Sequence, residues 1–357
     1  AKVLMPSDTI PIRTGENLVL VPDLDAPPAL GRGAFVRLSG PTMGVTWRAQ
    51  FYDPEGIDPA LWQARLQATV DRICQAMSAW IPDSAINQFN KAPAGALHTL
   101  PEDMVRVVAR ALEIATLTEG AFDPGLGQAV RAWGFGAGPV DPTVQTASGL
   151  GSTQAWRTLD FEPLAGTLRQ PGGLHLDLNG IAKGYGVDAL LETLTRAGVV
   201  SALVEIGGEL KSTGIRDDGT PWWVEIEPPG AGEGSGKGIG QTKRQAVPGG
   251  RMLVALCDLA IATSGDYRRF RLIDGRRISH TIDPRTGQPV HNVPAQVCVL
   301  HPDAMSADAL ATAFGVMPPD AALALADHLG LMVCWRHRTR EGLRLVTSAA
   351  FRKRLAV

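Results

Sequence analysis

Cysteine is scarce. Only Cys74, Cys257, Cys298 and Cys334 stand in 357 residues, and no CxxC or Cys/His spacing joins them. That excludes a metal site built from closely spaced thiolates, and the four read as small apolar core residues that leave the redox compartment open. No window approaches eighteen uninterrupted apolar residues, so no helix is expected to span a bilayer. A surplus of positive charge is also missing: 34 Lys and Arg face 36 Asp and Glu, for a net charge of −2. Without a basic block, neither a nucleic-acid groove nor binding to an anionic membrane is expected. No basic-then-apolar leader precedes Ala1, which suits an exported protein after signal removal, or a trimmed chain. What is present is ordinary globular composition, 45% hydrophobic and 20% charged. At roughly 150 residues per domain, the length predicts about two structural units.

Residues 1–34, with Pro27, Pro28, Gly31 and Gly33, show no sustained period and read as an extended N-terminal arm. Residues 35–357 form the main region, expected as two α+β subdomains. A strand-like stretch at 35–52 breaks at Gly40-Pro41 and Gly44. Leu61, Leu66, Val70, Ile73 and Met77 give helical spacing over 59–79, and a second helix is predicted over 101–119. Short strands fill 153–178. A helix over 184–197 follows the Asn179-Gly180 turn, with Gly198 at its C′ position. Strands are expected at 201–206, 222–227, 252–256, 269–273, 278–282 and 295–300. The Gly/Pro-rich stretch 228–250 reads as a surface insertion of low order. Helices beginning near Ser306 and Asp320 precede a final strand pair. Strands and helices lack regular βαβ alternation, which favours an α+β fold.

Three stretches carry chemistry. Asp177-Leu-Asn-Gly-Ile-Ala-Lys-Gly-Tyr-Gly-Val-Asp188 places Gly180, Gly184 and Gly186 between a strand and a helix. Such a loop lets backbone approach an anionic ligand at the helix N-terminus, or simply makes a tight turn. It is neither a Walker A loop nor GxGxxG. Ala262-Thr-Ser-Gly-Asp-Tyr267 precedes Ser279-His-Thr-Ile-Asp-Pro-Arg-Thr-Gly287, where His280 and Ile282 share a strand face beside a turn. His280 is a candidate proton acceptor. In Met305-Ser-Ala-Asp-Ala-Leu-Ala-Thr312, Ser306 suits an N-cap, and Asp308 and Thr312 share a helix face. Carboxylate and hydroxyl together suit a hard cation such as Mg²⁺; equally, they suit the helix dipole and a back-bonded threonine.

Taken with four further motifs, these stretches resemble the ApbE family of FAD:protein FMN transferases over about residues 40–345. The motifs are Met43-Gly-Val-Thr-Trp47, Ser78-Ala-Trp-Ile-Pro-Asp-Ser84 with Asn87-Gln-Phe-Asn90, and Thr118-Glu-Gly-Ala-Phe-Asp-Pro124 with Trp133-Gly-Phe-Gly136. Glu205-Ile-Gly-Gly-Glu209 is the fourth. The resemblance implies an α+β T-fold-like architecture with the flavin in a central cleft. It implies FAD contacts from Met43, Trp80, Ala121, Phe122, Asp123, Lys183 and Ile282, and from Tyr185 and Asp188. It further implies Mg²⁺ held by the Ala182 carbonyl, Asp308 and Thr312, with His280 as the base.

The implied reaction moves FMN from FAD to a Thr or Ser hydroxyl of a target protein and releases AMP. The acceptor would carry a Ser/Thr-Gly-Ala-Ser/Thr-like segment in a membrane redox subunit. FAD hydrolysis in the same site, or non-catalytic flavin delivery, are the alternative readings. Two positions depart from the family pattern. Trp80 replaces the usual Tyr, a large aromatic that favours transfer over hydrolysis. The N-terminal lipidated Cys of many members is missing, so a soluble exported protein, such as a periplasmic one, is expected.

Overall fold

The structure, a computed structural model, describes residues 9–10, 17–23, 27–137, 154–226, 229, 251–265, 270–273, 276–290, 293–339 and 342–356. Most of the predicted insertion at 228–250, and Asp266 and Tyr267 of the second stretch, lie outside them.

Strands β1 (Thr9–Ile10) and β2 (Asn17–Leu20) precede the hairpin of β3 (Ala34–Thr42) and β4 (Val45–Asp53). Helices α1 (Pro59–Met77) and α2 (Ala85–Asn90), strand β5 (Leu97–Thr99), and helices α3 (Glu102–Leu117) and α4 (Gly127–Ala132) follow. Strands β6 (Asp160–Glu162) and β7 (Thr167–Arg169) lead to α5 (Ala182–Arg196), then β8 (Ala202–Ile206), β9 (Glu209–Thr213) and β10 (Trp222–Ile226). Next come β11 (Arg251–Leu256), β12 (Ala260–Ser264), β13 (Phe270–Ile273), β14 (Arg276–Ser279), β15 (Ile282–Asp283), β16 (Gln288–Pro289) and β17 (Gln296–His301). The chain closes with α6 (Ala304–Val316), α7 (Pro319–His328), β18 (Met332–Thr339), β19 (Gly342–Thr347), α8 (Ala349–Arg352) and β20 (Leu355–Ala356).

A nine-stranded sheet in the order β1-β19-β18-β17-β12-β9-β8-β4-β3 is the frame, every neighbouring pair antiparallel. Its central strands are buried on both faces. Along β17, Val297 and Val299 enter the core shared with α3 and α6, while Cys298 and Leu300 face a second core. That second core lies against the four-stranded sheet β10-β11-β2-β20. The cysteines there are buried, as expected of small apolar residues. A third core joins α1 and α5 to β4 and β8. The architecture is α+β.

The predicted arm is partly woven in, since β1 pairs with β19 and β2 pairs with both β11 and β20. Helix α1 forms where its spacing places it: Asp58 caps Ala60 N at 2.8 Å, Pro59 occupies the first turn, and Trp62, Leu66, Val70 and Ile73 are buried. Helix α5 starts at Ala182, earlier than predicted, and Gly198 at φ +87° follows its end.

Helix α6 departs from a surface helix. Nearly every residue is buried, because it lies between strands β12 and β17 on one side and α3 and α5 on the other. Its N-cap is Asp303, which accepts from Ser306 N at 2.7 Å, so Ser306 sits inside the first turn and not at the cap. Asp188 of α5 reinforces that end by accepting from Ala304 N at 3.0 Å and Met305 N at 2.8 Å. Within this apolar helix Asp308 is the one charged residue and is 5% exposed. A carboxylate buried on an otherwise apolar helix is costly unless something cationic or hydrogen-bonding compensates it.

Candidate active site

A cavity of about 290 Å³ opens where three segments meet: the start of α5, the β8–β9 turn and the middle of α6. Gly180, Lys183, Gly207, Glu209, Asp308 and Thr312 form its polar end. The β8–β9 turn is a two-residue hairpin in which Gly207 and Gly208 both take positive φ, +62° and +111°. That geometry matches the strand twist and delivers Glu209 to the cavity rim at the first position of β9. On α5, a Cβ added at Gly184 would lie 2.2 Å from the Ala304 carbonyl oxygen. Only glycine permits this approach, and it lets Gly184 N donate to Asp308 Oδ2 at 3.0 Å.

The rest of the lining is largely apolar, with Phe122, Leu126, Val130, Phe135, Ile282 and Pro284, and Phe122 adjoins Gly180 beside Thr312. His280 faces this slot at a bend between β14 and β15, its ring edge-on to Phe135 with centroids 6.3 Å apart. Asp123 is buried at the slot, its Oδ1 accepting from Gly125 N at 2.7 Å and Trp156 N at 3.1 Å. Asp177 also lines the cavity and accepts from Asn179 N at 2.8 Å; burial pushes its carboxyl above the ordinary range.

Electrostatics concentrate at the polar end. Lys183 Nζ meets Glu209 Oε1 at 2.5 Å. Glu209 is 1% exposed, and its Oε2 is buried with no hydrogen-bond partner. Burial pushes the Asp308 carboxyl up to about 7; Lys183 and the Gly184 N–H oppose the rise, while Glu209 adds to it. A buried carboxylate oxygen with no partner, in a cavity that a second buried acid also lines, offers a place for a cation or a hydrogen-bond donor. Among the described residues no three His, Cys, Asp or Glu side chains gather as a metal group. A cation here would therefore take Thr312, a backbone carbonyl and ligand oxygens besides Asp308, which suits Mg²⁺.

Of the residues implied by the resemblance, Ala121, Phe122, Asp123, Lys183, His280, Ile282, Asp308 and Thr312 line this one cavity. Ala182 is buried at the first position of α5, between the lining residues Gly180 and Lys183. Met43 occupies the β3–β4 turn at φ +48°, near Gly186, while its neighbour Val45 reaches the cavity.

Trp80 does not line it. The ring is 67% exposed and projects from the loop before α2, which Asn87 pins through the Ala79 and Ile81 carbonyls. Tyr185 and Asp188 also lie outside the lining, and their polar atoms are engaged in packing α5. The Tyr185 hydroxyl donates to Asp103 Oδ1 at 2.6 Å, and Asp188 holds Lys211 at 2.7 Å together with the start of α6. Glu209, Asp177 and Phe135 carry no expected role from the sequence. For Glu209 the available signal was a Gly-Gly pair followed directly by a carboxylate.

A glycine-opened helix start, buried acids, aromatic side chains and a histidine line one cavity, an arrangement suited to an anionic ligand with a flat ring. The ApbE family model matches residues 43–335, and the chain belongs to that family. The FAD:protein FMN transferase of Vibrio cholerae serotype O1 is 34% identical over 320 residues, covering 89% of this chain and 92% of its own. That of Haemophilus influenzae is 33% identical, covering 89% and 91%. Among solved structures, the apo flavinyl transferase ApbE of Pseudomonas stutzeri superposes with a TM-score of 0.77 at 31% identity, covering 90% of this chain and 96% of its own. The Vibrio cholerae flavin transferase ApbE gives 0.75 at 32%, covering 90% and 99%. Family and fold thus agree with the resemblance read from the motifs.

Proposed function

We propose that this chain transfers FMN from FAD to a Thr or Ser hydroxyl of an acceptor protein. The observation that carries the reading is that His280, Lys183, Asp308 and Thr312 converge on one cavity that also offers an aromatic slot. The bond between the FMN phosphorus and the bridging oxygen breaks, and a phosphoester to the acceptor oxygen forms. AMP departs with the bridging oxygen, and the acceptor proton passes to His280. Phe122, Phe135 and Ile282 line a slot that suits the isoalloxazine, while Lys183 at the start of α5 favours the pyrophosphate. Asp308, Thr312 and the Ala182 carbonyl would hold Mg²⁺, which when bound neutralises charge on the phosphate oxygens.

The acceptor is read as a Ser/Thr-Gly-Ala-Ser/Thr-like segment of a membrane redox subunit, and the site of action as the periplasm or another exported compartment. Among the described residues no helix is long and apolar enough to cross a membrane. The test mixes protein, FAD, Mg²⁺ and a candidate acceptor, then looks for flavin fluorescence that survives denaturing electrophoresis. Absence of a fluorescent acceptor band at full FAD consumption would sink the transfer reading.

One observation favours a second reading. Trp80 lies open to solvent and outside the cavity lining, so water is not shut out of the site by that ring. Hydrolysis of FAD to FMN and AMP then competes with transfer, and AMP released without acceptor measures it.

A further inference from the structure

Lys183 and Asp308 pose a problem for any cation reading, because an ammonium and a divalent ion sharing one small cavity repel each other. Glu209 lies between the two demands. It is sealed from solvent, with one oxygen on Lys183 Nζ at 2.5 Å and the other without a partner. A buried carboxylate with an idle oxygen is expensive, and the hairpin that delivers it spends two positive-φ glycines on doing so. Lys183, Glu209 and Asp308 all line the one cavity, so the three charges act as one cluster.

We propose that Glu209 is a positioning residue that neutralises Lys183, so that ammonium and divalent cation can occupy the cavity together. The inference rests on the cation reading of Asp308 and Thr312. Counting formal charges with Asp308 ionised, Lys183, Glu209 and Asp308 sum to −1, and a divalent ion brings the cluster to +1. Without Glu209 the empty cluster is neutral and the loaded one reaches +2 before FAD arrives.

The test is Mn²⁺ binding followed by electron paramagnetic resonance on FAD-free and FAD-saturated protein, with thermal unfolding as a check on folding. Wild type should bind, and D308N should not. E209Q should bind roughly tenfold more weakly or worse, since a neighbouring unit charge goes unbalanced. The pair K183M/E209Q, which restores the charge sum, should recover most of the affinity. Wild-type affinity in E209Q, or no recovery in the pair, overturns the proposal. Should E209Q not fold, K183M alone decides, because freeing the Glu209 carboxylate must tighten Mn²⁺ binding. If wild type shows no binding that D308N abolishes, the cation reading itself falls and this inference with it.

Discussion

His280 and Asp308 separate two jobs that a single activity assay would confuse. His280→Ala should lower transfer by about 10²–10⁴-fold, the usual worth of a positioned base. FAD affinity, followed by flavin fluorescence quenching, should stay near wild type, because the aromatic slot and Lys183 remain. A comparable loss of FAD affinity would instead make the ring a wall of the slot. Asp308 predicts a pH dependence whose sign is unusual for an acid. Its pKa is raised to about 7, mainly by burial. The stabilising contribution is therefore complete below the unfolded value near 4 and is lost as pH rises through about 7. In chelator the protein should lose melting temperature between about pH 4 and pH 7 through this group, and Mg²⁺ should restore it at the upper end. A D308N variant that keeps the same pH slope would place its origin elsewhere.

At the scale of elements, α6 explains both the strength and the limit of reading this site from sequence. The four-residue spacing of Asp308 and Thr312 held, and both reach one cavity. Burial of the whole helix was not visible in its sequence, since apolar residues all round fit a core helix and a poor surface helix alike. The cap was misplaced for a similar reason, as Asp303 and Ser306 are both good caps and only the backbone path decides. Tyr185 and Asp188 share a motif with Lys183, yet helical rotation sends their side chains to α3 and α6, which motif membership cannot show. Asp303 carries its own prediction. Burial alone would raise its carboxyl, but hydrogen bonds from His301, at 2.9 Å, and Ser306 hold it well below the usual range. That stability is present above about pH 4 and is lost as pH falls toward the depressed value. Asp303→Ala should cost about 0.5–2 kcal/mol by urea unfolding at neutral pH, with the deficit shrinking in acid. An equal deficit at every pH would mean the carboxylate charge plays no part.

For the whole molecule, the sequence showed the fold class and lost the long-range pairings. Period-two and helical patterns are local, whereas the pairings of β4 with β8 and of β9 with β12 join segments that local patterning cannot connect. The N-terminal region shows the consequence. Pro27, Pro28 and the lack of periodicity read as an extended arm, and β2 within it is an interior strand of the four-stranded sheet, parallel to β11 and antiparallel to β20. Leu20 at its end is fully buried among Tyr52, Trp222, Val254 and Phe351. The core it fills lies on the face of the main sheet opposite the α6 core, and none of its residues lines the cavity. Leu20→Ala should therefore lower global stability by about 2–5 kcal/mol, the range for a truncated buried leucine. FAD affinity of the folded fraction should be unchanged. Denaturant titration and flavin binding on the same preparation separate the two effects. A stability loss under about 0.5 kcal/mol, the level of a surface substitution, would show that the four-stranded sheet holds without this side chain.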